Sequence, residues 1–326
     1  MADCSKNFRD GKDSYLSKIS LSSEKGSQLR KSRDALREKI RSHLKEKSAK
    51  NIRFYRQGSY AHRTIISPID GDYDIDDGIY MDLSGFESEP STITIHSWIK
   101  EAAKGHTETN PQDKEACVRA IFKAGYHVDL PAYKVEEDDD NEKYYLAKKS
   151  AGWEESNPRA MTDWFEEQVK QHSEQIRRLV KYFKGWQDFR NSKTSTKLPN
   201  GLTLTILACE ENRSDIRDDI AFNETAKAIL SRLQDDDEIW KPYEPTENMR
   251  DYLSDAQFDH FLKELEKIGT IGDNAIEEES EERAAKEWQK LLGDRFPVFE
   301  DPDDKDKSNS KEFGAPAIIG TTVKSA

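Results

Sequence analysis

YDIDDGIYM, residues 73–81, alternates in polarity and then becomes apolar, a pattern typical of a half-buried β-strand. Asp74 and Asp76 lie two residues apart in it, and side chains at i and i+2 of a strand point to the same face. Two carboxylates that converge in this way repel each other unless a cation lies between them. Carboxylate oxygens are hard ligands of the kind that Mg²⁺ prefers, especially beside phosphate. The pair therefore predicts a divalent-cation site, although Asp72 and Asp77 offer competing registers for it.

A second motif lies upstream, where residues 52–57 read as a strand that enters a turn at Gly58-Ser59. Glycine lets a backbone approach a ligand closely, and the N–H groups of such a turn together with a serine hydroxyl can face an anion. A Gly-Ser pair alone is usually only a turn. Next to a strand with two carboxylates, it predicts a phosphate-binding loop.

A third acid, Asp129, lies in the short strand YHVDL that Pro131 ends. In two-metal phosphoryl transfer, two ions about 3.5–4 Å apart stabilise the attacking and the leaving oxygen, and three carboxylates commonly hold them. We therefore predict that Asp74, Asp76 and Asp129 are catalytic residues that bind two Mg²⁺ ions, with Mn²⁺ as an alternative ion.

The remaining chain divides into two parts of different pattern. Apolar residues at helical spacing predict one long helix over 22–48, and shorter helices are expected over 95–104 and 111–123. The acidic run 136–140 is interpreted as a solvated loop, with a returning strand over 142–146. From Pro158 the pattern becomes helical, with apolar faces over 161–186, 202–209, 220–233, 258–268 and 281–292.

These patterns predict a core that contains the N-terminal helix and the three acids over 1–157, a helical lobe over 158–300 and a flexible C-terminal tail over 301–326. The stretch 301–311 is highly charged and has no apolar face, so it cannot offset the entropy of ordering.

Charge and composition restrict the function. The 326-residue chain has a formal net charge of −13 and an isoelectric point near 5.2, which argues against a stable nucleic-acid partner held mainly by its phosphates. Three scattered cysteines show no metal-ligand spacing. No apolar run has the length of a membrane span and no signal peptide is evident, so we expect a soluble cytoplasmic protein without a membrane partner.

Together, Gln57-Gly58-Ser59, Asp74-Ile75-Asp76-Asp77-Gly78 and His127-Val128-Asp129-Leu130-Pro131 resemble the polymerase-β-like nucleotidyltransferases. More narrowly, the chain resembles the bacterial cGAS/DncV-like nucleotidyltransferases (CD-NTases), which make cyclic oligonucleotide second messengers in CBASS antiphage defence. Three later segments carry the narrower resemblance: the linker from Leu146 to Trp164, the central helix from Leu179 to Trp186, and the last helix, Trp288 to Gly293, with Phe296-Pro297 after it.

The resemblance implies an α+β fold in which a polymerase-β-like core sheet is joined to a helical second lobe, with a long N-terminal spine helix packed across the back of both lobes. It implies ATP and GTP as substrates. It assigns nucleotide-phosphate binding to Gln57, Gly58 and Ser59, and a triphosphate contact to Lys184, which is equally well interpreted as a solvated surface residue.

Two further residues enter through the resemblance. Arg119, expected on the helix before the third acid, is a weaker phosphate-binding candidate. Many family members are encoded with E1/E2-like conjugating proteins, which implies that the terminal Ala326 is a conjugation point; a disordered remnant is the simpler interpretation of this tail. The chain lacks the Cys/His ribbon through which animal cGAS clamps DNA.

The favoured function is therefore the synthesis of a cyclic oligonucleotide, preferentially a cyclic dinucleotide such as cyclic GMP-AMP, from nucleoside triphosphates. The alternative is a template-independent nucleotidyltransferase that acts on RNA or protein. A non-catalytic binding module on the same fold is disfavoured because all three expected carboxylates are present.

Overall fold

The computed structural model describes residues 1–138, 141–243 and 246–300. Its sheet lobe contains eight strands that form one mixed sheet among these residues. In chain order they are β1 Lys50–Gln57, β2 Tyr73–Asp82, β3 Gln112–Asp113, β4 Val118–Phe122, β5 Tyr126–Leu130, β6 Ala132–Asp138, β7 Asn141–Lys148 and β8 Gly152–Glu155.

The central strand of the sheet is β2, which carries the two predicted acids. It pairs antiparallel with β1, and it pairs in parallel first with β5 and then with β6, on either side of Pro131. Asp76 is the register partner of Gln57 in β1 and of Asp129 in β5. The register therefore brings the three sequence motifs to one place.

The predicted helix over 111–123 is wrong. This segment forms β3 and β4, and β4 pairs antiparallel with β5 so that Arg119 is the register partner of Asp129. The apolar residues of β4 alternate inward, with Val118 and Ala120 buried, and a β-branched residue prefers that position in a sheet. Proline and charge near 111–116 suggested a helix start, but pairing with β5 decides the structure.

The predicted loop over 136–140 is also wrong as far as residue 138, because β6 continues through Glu136 and Glu137. Lysine faces glutamate across the strands, since Glu136 is the register partner of Lys143 in β7. Opposite charges on directly opposed residues stabilise an antiparallel pair, so an acidic segment can remain a strand when it is paired in this way.

The described helices comprise three that precede the sheet, two within it and six that follow it. They are α1 Ser5–Phe8, α2 Tyr15–Ile19, α3 Ser23–Glu46, α4 Gly58–Ala61, α5 Thr92–Ala103, α6 Pro158–His172, α7 Gln175–Lys193, α8 Gly201–Glu210, α9 Asp218–Asp235, α10 Asp255–Glu277 and α11 Glu281–Leu292, with a 3₁₀ turn at Met249–Tyr252. The predicted α+β architecture, a core sheet with a helical lobe, is confirmed. None of the helices in the described ranges is long and apolar enough to cross a membrane.

The central helix of the helical lobe is α7, which buries Ile176, Leu179, Val180, Phe183 and Trp186. Around it the other helices form one apolar core. The beginning of the chain joins the same core: Phe8 and Tyr15 are completely buried there, although we had expected residues 1–157 to form one unit with the sheet.

Helix α3 matches the predicted long N-terminal helix closely. Ser22 caps it by accepting a hydrogen bond from the Lys25 N–H. Its four buried apolar residues, Leu29, Leu36, Ile40 and Leu44, all belong to the core of the sheet lobe. The expectation that this helix spans both lobes is therefore corrected: it packs on the sheet lobe, and the short helices before it reach the helical lobe.

An ion pair links α3 to the sheet. Asp77 follows the predicted acid pair, its side chain is fully buried, and Arg37 donates to both of its oxygens, with Nε 2.6 Å from Oδ2. Asp77 thus points away from Asp76 and forms a structural contact. This resolves one of the competing registers, because a buried carboxylate held by an arginine is not free to bind a cation.

We expect Asp77→Asn to lower the free energy of unfolding by about 3 kcal/mol, because it leaves the Arg37 guanidinium without its anionic partner. Urea unfolding measures this change. The control is Glu38→Gln, which breaks the exposed pair with Arg41 on the same helix and should cost less than about 1 kcal/mol. Equal effects of the two substitutions would show that the buried pair does not hold α3 to β2.

Candidate active site

The Gly-Ser motif lies directly after β1, where the chain enters α4. The predicted turn is a single turn of helix, and Gly58 enters it with φ +55°, a conformation that side chains disfavour. A Cβ at position 58 would also lie 2.6 Å from Oδ2 of Asp76. Glycine is therefore required here for two reasons, its backbone conformation and the close approach of the carboxylate.

The three predicted acids meet at this point. Asp74 and Asp76 share a face of β2, and Asp129 lies beside Asp76 on β5. The other competing acid, Asp72, is paired instead with His127 at 2.9 Å. Asp72 borders the same cleft, but its pairing with His127 leaves Asp74 and Asp76 as the two acids available to a ligand there.

Arg119 neutralises part of this negative charge. Its Nε and Nη2 donate to the two oxygens of Asp129, both at 2.7 Å, and Nη2 lies 3.6 Å from Oδ2 of Asp74. This bidentate geometry is the strongest that an arginine and a carboxylate form. The structure therefore places Arg119 as the counter-ion of the third acid, on a strand rather than on the expected helix.

One arginine does not balance three carboxylates. Burial, followed by the negative charges of Asp74 and Asp129, raises the pKa of Asp76 to about 7, against the smaller opposing effects of Arg119 and Lys184. Burial, followed by the charge of Asp129, also raises the pKa of Asp74. The cleft floor consequently favours a positive ligand or a proton.

The donor chemistry fits a divalent ion, because the carboxylates supply the hard oxygen atoms that Mg²⁺ prefers. Asp74 and Asp76 both line the cleft. In the part of the chain that the structure describes, however, no three His, Cys, Asp or Glu side chains already surround a common point, and Arg119 contacts both oxygens of Asp129. Asp129 can therefore bind a metal ion only if Arg119 shares or releases at least one of the two carboxylate oxygens.

A cavity of about 540 Å³ opens above the acids, between the sheet lobe and the helical lobe. Its lining includes Gln57, Gly58, Ser59, His62, Thr64, Ile66, Pro68, Asp74, Asp76, Pro158, Met161, Lys184, Gln187, Asp188, Asn191, Gly201, Leu202, Thr205 and Tyr243. The volume lies within the range of sites that hold a small molecule.

Lys184 reaches the cavity from α7 and is buried, so it is not a solvated surface residue. Its Nζ donates to Oγ1 of Thr64 at 3.1 Å. Burial lowers its pKa to about 8, although the charge of Asp74 opposes this effect. A Cβ at Gly201 would lie 3.0 Å from its Cε, so the glycine makes room for the lysine. The residue is a buried cation facing two acids across a cavity.

Gln57 is fixed by the sheet. Its Nε2 donates to the hydroxyl of Tyr80 at 2.8 Å, and the hydroxyl of Tyr133 donates to its Oε1 at 3.2 Å. Gly78 leaves space for this amide, since a Cβ there would lie 2.1 Å from Nε2. Both ends of the predicted phosphate ligand are therefore used inside the protein, where they fix the backbone that leads into Gly58.

Several lining residues were missed in the sequence. His62 is buried and stacks on the ring of Phe165 at 4.7 Å, and burial together with the charge of Lys184 lowers its pKa to about 3. On α7, Lys184, Asp188 and Asn191 follow one another at intervals of four and three residues and line the same wall. The signal for that wall was present, because it is a polar stripe at helical spacing within a helix that is otherwise apolar.

Comparison with known proteins agrees with this geometry. Residues 52–133 match the family model for the nucleotidyltransferase domain of DncV-like cyclic GMP-AMP synthases. A cyclic GMP-AMP synthase of Escherichia albertii is 31% identical over 211 residues, which cover 62% of this chain and 46% of that protein. One of Vibrio cholerae is 22% identical over 298 residues, covering 74% and 67%. This chain thus spans about half the length of the first of these relatives.

The fold is shared with a solved structure. The crystal structure of Vibrio cholerae DncV cyclic AMP-GMP synthase in complex with nonhydrolyzable GTP superposes with a TM-score of 0.77 and 18% identity, over 90% of this chain and 97% of that one. At this identity the similarity concerns the fold.

The raised pKa of Asp76 predicts a pH-dependent stability. Because folded Asp76 keeps its proton up to about pH 7, whereas the unfolded residue releases it near 3.8, ionisation of this residue should destabilise the fold progressively as the pH rises through that window. Asp76→Asn removes this penalty. The free energy of unfolding of Asp76→Asn minus that of the wild type should therefore increase between pH 4 and 7.5. One pKa unit corresponds to about 1.4 kcal/mol, so the increase should reach up to about 4 kcal/mol.

Urea unfolding in buffers without divalent ions, at several pH values, measures this difference. The control is Asp259→Asn, which changes an exposed carboxylate on α10. A difference between Asp76→Asn and the wild type that stays constant across the window would contradict the electrostatic account of the cleft floor.

Proposed function

We propose that this chain is a bacterial cGAS/DncV-like nucleotidyltransferase that joins nucleoside triphosphates into a cyclic oligonucleotide, with cyclic GMP-AMP as the favoured product. The observation that carries the proposal is that Asp74 and Asp76 line a cavity, with Asp129 beside Asp76 in the sheet, and that the opposite wall presents the buried cation Lys184. The names of the relatives from Escherichia albertii and Vibrio cholerae, both cyclic GMP-AMP synthases, support the choice of product.

We assign the acids to metal binding. Asp74 and Asp76 would hold Mg²⁺ with Asp129 as the third ligand, and the bound ions would supply activation of the attacking hydroxyl and neutralisation of the triphosphate. Arg119 keeps the Asp129 carboxylate in a fixed orientation beside Asp76. The sheet thus presents Asp74 and Asp76 to the cavity, and Asp129 would join them by sharing its oxygens between Arg119 and the metal.

The phosphate chain would lie between the two walls. Gly58 and Ser59 line the cleft beside Asp76, where their N–H groups would bind an anion that brings its own cation. Lys184 would donate to a phosphate oxygen from the opposite side, since its ammonium already lies in the cavity and has only one protein partner, Thr64, among its described hydrogen bonds. Ile66, Met161 and Leu202 line the cavity with apolar surface suited to a ribose or a base.

The biological setting follows from the family resemblance. We propose that the product acts as a second messenger in CBASS antiphage defence and that Ala326 is joined to a target by an E1/E2-like protein. Ala326 and the predicted flexible tail lie outside the described residues. Incubation with a co-encoded E1/E2-like protein and ATP should produce an adduct on a gel. Equal conjugation of a variant that lacks the last residues would contradict this role.

The proposed activity is tested by incubating the purified chain with ATP, GTP, CTP, UTP and Mg²⁺ and analysing phosphatase-resistant products by mass spectrometry. We expect a cyclic dinucleotide from the wild type. Label transferred to added RNA or protein, without a small cyclic product, would instead support the alternative of a template-independent transferase.

Asp74→Asn and Asp76→Asn should each reduce this synthesis by at least about 10³-fold with the fold intact, because each removes an anionic metal ligand at nearly constant size. Asp82→Asn, at the opposite end of β2 and not among the residues that line this cavity, is the matched control and should retain most activity. Full activity of Asp76→Asn in Mg²⁺ would show that the carboxylates of this register do not bind the metal.

Lys184 should make substrate binding depend on pH. Since its pKa lies near 8 in the unliganded protein, its ammonium is lost as the pH rises further, and the KM for the triphosphate should increase between pH 8 and 9.5. Lys184→Met should raise the KM about tenfold or more at pH 7, the equivalent of one charge-assisted hydrogen bond, and should abolish the pH dependence. Lys170→Met, on the exposed face of α6, is the control. An unchanged pH profile in Lys184→Met would exclude this lysine from phosphate binding.

A further inference from the structure

We propose that Arg295 and Asp188 form a positioning pair that holds the segment 66–69 against α7 and thereby sets the affinity for the nucleotide. The inference rests on the proposed function, since it concerns the same cavity. Neither residue belongs to the motifs that carry the family resemblance, and Arg295 lies in the turn that follows the last helix of the chain's described part.

The contacts of Arg295 join three parts of the molecule. Its Nη1 donates to the carbonyl of Ser67 at 2.9 Å, and its Nη2 donates to the carbonyl of Gly185 at 3.1 Å and lies 2.6 Å from Oδ2 of Asp188. Asp188 in turn accepts a hydrogen bond from the N–H of Ile69 at 3.1 Å. The pair thus grips the segment at two points, the carbonyl of Ser67 and the N–H of Ile69.

The held segment is part of the cavity wall. Residues 66–69 connect α4, which carries Gly58 and Ser59, with β2, which carries the acids, and both Ile66 and Pro68 line the cavity. The segment lies outside the named helices and strands, so its position depends on tertiary contacts. On its other side the N–H of Ser67 donates to the carbonyl of Ile19 at 2.7 Å. The cavity wall is therefore anchored from α7 and from α2.

The arginine is itself firmly placed. Helix α11 ends at Leu292, and Gly293 turns the chain with φ +74° at a point where a Cβ would lie 2.4 Å from the ring of Phe189. Phe296, the next residue after the arginine, is completely buried, and its carbonyl accepts a hydrogen bond from Gln289 at 3.1 Å. Because the helical lobe fixes the backbone of Arg295, the guanidinium holds the cavity wall in a defined position relative to that lobe.

The geometry requires arginine in particular. The planar guanidinium directs its N–H groups at two carbonyls and a carboxylate together, whereas an ammonium concentrates its charge at one point and cannot reach all three. Arg295→Lys should therefore keep the attraction to Asp188 but release the carbonyl of Ser67. Asp188→Asn should keep the shape of the side chain and weaken its contacts with Arg295 and Ile69.

The experiment measures two quantities in both variants. Calorimetry gives the affinity for non-hydrolysable ATP and GTP analogues, and steady-state synthesis gives KM and kcat. We expect the Kd and KM to rise at least fivefold, while kcat changes less than twofold because the acids are untouched. Hydrogen–deuterium exchange of peptides covering 62–72 should become at least tenfold faster, since each variant weakens a contact that holds Ser67 or Ile69 in place.

Arg190→Lys is the matched control. Arg190 lies on the same helix as Asp188 and forms a bidentate pair with the buried Glu264, at 2.6 and 3.0 Å, inside the helical lobe and away from the segment. It should lower the midpoint of thermal unfolding without altering Kd or exchange over 62–72. The double variant Arg295→Lys/Asp188→Asn should show a loss smaller than the product of the two single losses, because both act on one segment.

An unchanged affinity and unchanged exchange over 62–72 in folded Arg295→Lys would overturn the proposal, as would an equal loss of affinity in Arg190→Lys. The affinity and exchange measurements do not depend on which product is made. A wild type that binds the analogues but makes no cyclic oligonucleotide would refute the proposed function, while the affinity and exchange of the variants would still test the positioning pair. If Arg295→Lys does not fold, Asp188→Asn provides the same two measurements.

Discussion

The close packing of the Asp76 carboxylate between Gly58 and Asp129 is the constraint on which the rest of the structure depends. The pairing of β2 with β1 on one side and with β5 on the other places three segments of distant sequence beside a single side chain. A side chain at position 58 would collide with the carboxylate, and burial near two other acids raises the pKa of Asp76. The fold thus accepts an electrostatic cost at this point that a cation would relieve.

The second lobe converts this acidic surface into a cavity. Helix α7 contributes a wall on which a buried lysine faces the acids, and its neighbours hold the loop between the Gly-Ser helix and β2. Arg177 donates to the carbonyl of His62, Lys184 to Thr64, and Arg295 to Ser67. The loop has little regular structure, yet the helical lobe fixes it at successive residues. Catalytic geometry in the sheet lobe therefore depends on contacts made by helices far along the chain.

Local patterns predicted the parts of the structure that local physics determines. Alternation identified β2 and β5, and an N-cap with a repeating apolar stripe identified α3. The acids converge as the spacing of Asp74 and Asp76 indicated. The helix expected around Arg119 is a strand, because pairing with β5 outweighs a local preference there. Pairings between distant segments, such as Arg37 with Asp77, determine which acid is structural, and no local pattern contains them.

The roles of individual site residues show the same limit. Gln57 was predicted to contact phosphate, but the hydroxyls of Tyr80 and Tyr133 occupy its amide. The sequence is equally consistent with Lys184 as a triphosphate contact and as a solvated surface residue, and only its burial in the cavity favours the triphosphate contact. Gly58 was expected to let a phosphate approach, whereas the structure shows a carboxylate in that space. In each case the residue is important at the predicted position, and its partner could not be inferred without the fold.

The most direct test of the account is the number of divalent ions that the cleft holds. Electron paramagnetic resonance counts bound Mn²⁺ during a titration in the presence of a non-hydrolysable triphosphate. The account predicts about two ions per chain for the wild type and at least one fewer for a variant in which Asp74 and Asp76 are both asparagine. The same number of ions, bound with the same affinity in both proteins, would contradict the claim that these carboxylates form a metal site.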